Sequence, residues 1–173
     1  MRPFVRHLTA GAVRGCCSLI PALVLLTGCQ SWHTLHGFTD AQIAALERVG
    51  FTRTADRGAM EFDATDRLLF ASGESRLGPE ATRALEHIGY VLIAMHVEHI
   101  FIDGYTDAEG GVTYNLDLSM RRAKTVAGVL VDIGIAAKDI QVHGYGKTSP
   151  VADNGSRVGR MQNRRVAVVV SSE

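Results

Sequence analysis

Apolar residues along this chain fall into two rhythms. One has the 3.6-residue period of a helix, and the other consists of short continuous runs that suit buried strands. Ile43 and Leu46 share a face in a stretch from Asp40 to about Val49, with Asp40 as the expected cap and Gly50 as the stop. Phe51 can then fold this short helix back onto the domain. Residues 60–70 read as extended pieces around Asp63-Ala64-Thr65-Asp66, and Leu68-Leu69-Phe70 is a candidate buried strand. Pro79 suits the first position of a helix, which Leu85, Ile88, Leu92 and Met95 continue at helical spacing. His99-Ile100-Phe101-Ile102-Asp103 reads as a strand ending at Gly104. A long helix is expected from about Thr113 to Ile133, stopped by Gly134, then a strand Ile140-Gln141-Val142-His143 ending at Gly144. A polar turn and a last strand, Arg165 to Val170, complete the pattern.

Strands interleaved with helices in this order predict an α+β fold, an α/β sandwich with helices on one face of a mixed sheet. The crossover from residues 99–103 to 140–143 should be parallel and right-handed.

The N-terminal stretch has a different character. Arg2, Arg6 and Arg14 stand in a segment without acidic residues, and an apolar run from Leu19 to Leu26 follows, interrupted only by Pro21. That is the pattern of a secretory leader, and the run is far short of the roughly 20 residues that span a bilayer. Leu26-Thr27-Gly28-Cys29 resembles a bacterial lipobox, in which the Cys29 thiol takes a diacylglycerol. The sequence therefore divides into a leader (1–28), a lipidated cysteine and tether (29–38), an N-terminal helix and linker (39–60) and a folded domain (61–173). Gln30 follows the cysteine where an aspartate would resemble an inner-membrane retention signal, so the expected destination is the outer membrane, with the domain facing the periplasm. Several acyl chains hold a protein stably on a membrane. Cys16 and Cys17 precede the cleavage point, so the domain should rely on its core and not on disulfides. Residues 30–38 reach roughly 30 Å at most when extended.

Basic and acidic residues balance at 18 each, and loss of the three leader arginines leaves 15 basic against 18 acidic. Such a balance predicts no general attraction to nucleic acid, so recognition must come from local charge. Ligands in such sheets favour loops past the carboxyl ends of strands, here Gly104-Tyr105-Thr106-Asp107-Ala108-Glu109-Gly110. On a helical wheel with Leu118 at zero, Val129, Ile133, Val126 and Leu130 occupy an arc from about 20° to 120°. Arg122, near 40°, and Asn115, near 60°, fall inside that apolar arc, whereas Arg121 lies outside it near 300°. A guanidinium against a buried face needs a partner, and Asp107 is the natural one. Two readings stand: a structural bridge pinning loop to helix, or a carboxylate and an arginine flanking a groove that receives a zwitterion.

The loop from Gly104 to Gly110, with Tyr114-Asn115, Leu118-Ser119 and Arg122-Ala123, resembles the OmpA-family signature. Gly144-Tyr145-Gly146, Pro150-Val151-Ala152-Asp153-Asn154, Gly159-Arg160 and Asn163-Arg164-Arg165-Val166 continue it in order over about residues 65–171. The resemblance implies an OmpA-like domain that binds peptidoglycan non-covalently through diaminopimelate. By position, Asp107 matches the aspartate that holds the ligand's ammonium group and Arg122 the arginine that holds its carboxylate. Asn115 and Thr106 match supporting contacts, Arg165 a further contact, and Phe70, Ser72 and Gly73 the loop forming the opposite wall. Tyr105 stands where the family commonly has histidine, and Ala71 where it often has aspartate. Phe38-Thr39-Asp40-Ala41-Gln42-Ile43, Leu46 and Gly50-Phe51 are similar to the segment after the anchor in YfiB-type lipoproteins. That branch implies a signalling partner, a periplasmic repressor of a diguanylate cyclase. A Pal-like anchor working with Tol-type proteins is the alternative.

Other signals are weaker. Gly146-Lys147-Thr148 resembles the end of a phosphate loop, but Gln141 stands where its first glycine belongs and Pro150 opposes the helix that should follow. The histidines lack the partners of a metal set, and no serine sits in a nucleophile elbow, so neither metal, cofactor nor enzyme activity is expected. Arg157, Arg160, Arg164 and Arg165 form a basic cluster, ordinarily a solvated face.

Overall fold

The computed structural model describes residues 37–55, 58–65, 69–70 and 74–172. The leader, Cys29 and the tether to residue 36 lie outside this set, as do Leu68, Ser72 and Gly73. Helix α1 spans Asp40–Arg48, and its N-cap is Thr39, one residue before the expected cap. The Thr39 hydroxyl accepts from the Gln42 N–H while the Gln42 side chain accepts from the Thr39 N–H, a reciprocal capping box. Asp40 instead supplies negative charge to the first turn, where it favours the helix dipole. Leu46 is fully buried and Phe51 nearly so, both in the main core, and Gln42 donates to the Met95 carbonyl.

Strands β1 (Thr52–Arg53) and β2 (Ala59–Thr65) follow, then helix α2 (Pro79–Ala94), strand β3 (His99–Tyr105) and helix α3 (Val112–Asp132). Strand β4 (Ile140–Gly146), the short helix α4 (Arg157–Asn163) and strand β5 (Arg165–Ser171) complete the order. Among the described residues the five strands form one sheet ordered β1-β2-β5-β3-β4. Among the described strands β3 and β4 alone are parallel, with Ile100 opposite Ile140, and β5 runs antiparallel between β2 and β3. The sheet is therefore mixed, as the alternation of elements predicted.

Two further expectations change. Leu68-Leu69-Phe70 does not form a strand where it is described: Leu69 is helical, and Phe70 makes a single bridge to Leu77. Both are buried, so the apolar run signalled the core but not its conformation. Between residues 147 and 164, where a polar turn was expected, α4 forms with Ser156 as its cap.

Side chains of Ile100, Ile102, Val166, Val168 and Val170 meet Leu85, Leu92, Val126 and Leu130 in one core. Helix α3 lies unusually close to the sheet, because glycines stand under it. A Cβ on Gly104 would lie 2.2 Å from the Ser119 carbonyl oxygen, and one on Gly144 would lie 2.6 Å from the Met120 nitrogen. These are backbone atoms that cannot swing aside. The close approach lets the Ser119 hydroxyl accept from the Gly146 N–H at 2.9 Å.

The opposite face of the sheet carries β2 residues Glu61 and Asp63, β3 residues Phe101, Asp103 and Tyr105, and β4 residues His143 and Tyr145. Tyr105 and Tyr145 stack at 5.2 Å, and His143 pairs with Asp103 at 3.0 Å. Arg165 lies over the Tyr105 ring at 3.8 Å, with its Nε 3.3 Å from Asp63. Burial raises the Asp63 carboxyl, and Arg165 opposes that rise by its charge and by hydrogen bonding. Partial burial pushes the Tyr105 hydroxyl up to about 12, with Asp103 adding to the shift. Partial burial also raises Glu61, assisted by Asp63 and opposed by Arg165.

Gly104→Ala should destabilise the fold by about 3 kcal/mol, near the upper end for overpacking, read as a lower urea midpoint. Glu61 gives a pH test. A carboxyl with a raised folded pKa costs stability when charged, and the cost disappears below the ordinary value of 4.5. Glu61→Gln should therefore raise the melting temperature at pH 7, and the gain should fade as the pH is lowered through the folded pKa to below 4.5.

Candidate functional site

The loop after β3 and the first turns of α3 build the candidate site. Thr106, buried, donates its N–H to the Gly146 carbonyl at 2.8 Å, which ties the loop to the end of β4. Its hydroxyl donates to the Asp107 carbonyl at 3.0 Å. Asn115, 2% exposed at the start of α3, donates to the Glu109 carbonyl at 2.7 Å. Lys147 crosses from the next loop and donates to the carbonyls of Ala108 and Gly110. Thr106 and Asn115, expected as supporting contacts for a ligand, thus shape the loop that presents Asp107.

Asp107 is 7% exposed. Its Oδ1 accepts from the Glu109 N–H at 3.1 Å, and its Oδ2 lies 2.7 Å from Nη1 of Arg164. Arg122 is 2% exposed on the sheet-facing side of α3, while neighbouring Arg121 is exposed, as the helical wheel requires. Its Nε donates to the Glu74 carbonyl at 2.9 Å, and its guanidinium lies over the Phe70 ring at 5.2 Å. A guanidinium against an aromatic face gains from the ring quadrupole when water is excluded. Phe70 therefore reaches Arg122, whereas Ser72 and Gly73, expected beside it, lie outside the described residues.

Arg165 is not brought to Asp107; Arg164 is. The alternation of β5 explains the exchange. Val166, Val168 and Val170 point toward the helices, so Arg165, one residue from Val166, points to the far face and meets Tyr105 and Asp63. Arg164, at the C-cap of α4, turns back to the loop. The valine alternation held this information, but Ala167 and Val169 between the core valines gave the run an unbroken apolar look.

Asn163 is a second residue that sequence reasoning passed over. It is fully buried, accepts from the N–H groups of Val151 and Ala152, and donates to the Ala152 carbonyl and the Asn154 side chain. The Asn154 oxygen in turn accepts from the Ala108 N–H at 3.0 Å, beside Asp107. Arg160 pairs with Glu109 at 3.0 Å and donates to the Asn154 carbonyl. The basic cluster is thus not a uniformly solvated face. Arg160 and Arg164 brace the Asp107 loop, and Arg165 is buried on the other side of the sheet.

Together the site offers a carboxylate at the end of β3, guanidinium groups from α3 and α4, and an aromatic floor at Phe70. Such a set recognises small charged groups by ion pairing and forked hydrogen bonds.

Residues 69–164 match the OmpA family. The chain is 40% identical over 153 residues to the outer-membrane lipoprotein YfiB of Pseudomonas aeruginosa, covering 88% of this chain and 90% of that one. It is 35% identical over 169 residues to the lipoprotein YfiB of Escherichia coli, covering 97% and 99%. Among solved structures, the cell wall anchor of the T6SS from Pseudomonas aeruginosa matches with a TM-score of 0.66 at 26% identity, over 80% of this chain and 99% of that one. The resemblance read from the motifs and the mixed sheet agree with these likenesses, and the chain belongs to the OmpA family.

Proposed function

We propose that this chain is a lipoprotein, anchored through Cys29 in the outer membrane and facing the periplasm, that binds peptidoglycan non-covalently through diaminopimelate. Asp107 receives the ammonium group of the stem peptide's free amino-acid end, and Arg122 receives its carboxylate. The observation that carries this reading is the placement of two nearly buried, oppositely charged side chains on the β3–α3 unit, each held by a backbone group of its own. Asp107 takes the Glu109 N–H and Arg122 gives its Nε to the Glu74 carbonyl, so both are oriented independently of one another. Charged groups oriented before a ligand arrives lose little on binding it. The likeness to a cell wall anchor supports the same reading. Ser72 and Gly73, which lie outside the described residues, are further ligand contacts in this proposal. Arg165 has no part in it, since it lies on the other face of the sheet.

The finer role is that of a YfiB-type component, which sequesters a periplasmic repressor and so relieves a diguanylate cyclase. The extent of the likeness to the two YfiB lipoproteins, which includes the α1 segment as well as the domain, supports it. A Pal-like link between outer membrane and wall is the second reading, favoured by the likeness to the T6SS anchor.

Mature protein should sediment with purified diaminopimelate-type sacculi. Asp107→Ala and Arg122→Ala should each weaken retention by about 2–5 kcal/mol, as for loss of one partner of a desolvated charge pair, while circular dichroism shows both folded. Unchanged retention of both folded variants would overturn the wall-binding reading. For the finer role, overproduction of the full chain should raise cellular cyclic di-GMP. A Pal-like anchor would leave that level flat, and its deletion would cause outer-membrane shedding.

A further inference from the structure

Asp107 is answered from within the protein. Its Oδ2 sits 2.7 Å from Arg164, and the pair is largely withdrawn from water, with side-chain exposures of 10% and 31%. Arg164 is also well founded. It caps α4 through its N–H to the Arg160 carbonyl and follows Asn163, whose four hydrogen bonds fix the adjoining loop. The other nearby members of the basic cluster are committed elsewhere, Arg160 to Glu109 and Arg165 to the far face. An ammonium group arriving at Asp107 therefore meets a guanidinium already on that carboxylate. Like charges a few ångströms apart repel appreciably where solvent is partly excluded. A carboxylate on the same carbon as the amine changes the balance, because it supplies an anion that the resident guanidinium groups attract.

Taking the diaminopimelate reading above as its base, we propose that Arg164 is the specificity-determining residue of this site: it makes the site reject a bare amine and accept an amino group that brings its own carboxylate. Arg122 orients that carboxylate from α3, and Arg164 adds the penalty against ligands that lack it. Specificity of this kind comes from a repulsive element as well as from attraction.

Free meso-diaminopimelate and cadaverine form the discriminating pair, since cadaverine is the same diamine without either carboxylate. Calorimetry on the mature protein should find diaminopimelate bound and cadaverine weaker by about 100-fold or more. Arg164→Gln, shown folded by circular dichroism, should tighten cadaverine by about tenfold, whereas Arg164→Lys should keep most of the rejection because the charge remains. A diaminopimelate-to-cadaverine ratio in Arg164→Gln within about twofold of the wild type would overturn the role of Arg164 and leave it a structural pin. If Arg164→Gln does not fold, Arg122→Gln decides. A residual preference for diaminopimelate of about fivefold supports Arg164, and its complete loss refutes it. Failure of the wild type to bind diaminopimelate sinks the binding reading itself. Binding with an unaltered ratio sinks only the role of Arg164.

Discussion

The contact between α3 and the sheet governs this domain. Without a side chain at 104 or 144, the backbone of α3 at Ser119 and Met120 comes to rest almost on the strands. Three features of the site follow from that approach. Ser119 reaches the N–H at the end of β4, Asn115 lies under the loop it must hold, and Arg122 sits one to two turns further along on the same face. An alanine at either glycine would require a longer gap, and the hydrogen bonds that set the loop would lengthen with it.

The loop itself is held mainly by uncharged groups. Thr106, Asn115, Ser119, Asn154 and Asn163 supply hydrogen bonds that cross between β3, α3, β4 and α4. Those of Thr106, Asn115, Ser119 and Asn163 satisfy buried polar groups that would otherwise cost stability. Lys147 and Arg160 add charge at the rim, where exposure limits what an ion pair contributes. Position and charge are thereby divided between different residues, with amides and hydroxyls setting the geometry and Asp107, Arg122 and Arg164 carrying the field.

Much of this was legible from the sequence, for reasons that also explain what was not. Periodicity located α2 and α3 to within one or two residues at each end, because their buried faces are long and regular. It also singled out Arg122 against Arg121, since a helical wheel separates neighbours by 100°. Strand ends were less clear. β3 and β4 run on through Gly104 and Gly144, where glycine marks a close approach by α3 and not the end of a strand. The sequence pointed to Asp40 as the cap where the structure uses Thr39, because both are good capping residues and only the reciprocal bond to Gln42 separates them. Helix α4 escaped notice because it is seven residues long and buries little beyond Gly159 and Asn163. The exchange of Arg165 for Arg164 is a one-residue question, and in a strand one residue changes the face entirely.

The energetics of Arg122 bear on whether its charge belongs to the fold or to a ligand. A leucine or methionine at that place would fill the same space against Phe70 and the core without a desolvation cost. Replacing buried ionic groups by apolar ones of similar volume is often neutral or stabilising. Asn115 pins the loop after β3 to the helix through the Glu109 carbonyl, while Arg122 ties the helix to a different segment through the Glu74 carbonyl. Asp107, for its part, is bound to Arg164 on α4 and to its own loop, so the loop does not depend on a bridge from α3 to stay in place. Arg122 and Asp107 are thus answered by different partners, Arg122 by the Glu74 carbonyl and the Phe70 ring and Asp107 by Arg164 and its own loop, so the charge of each is fixed in place without a bridge between them.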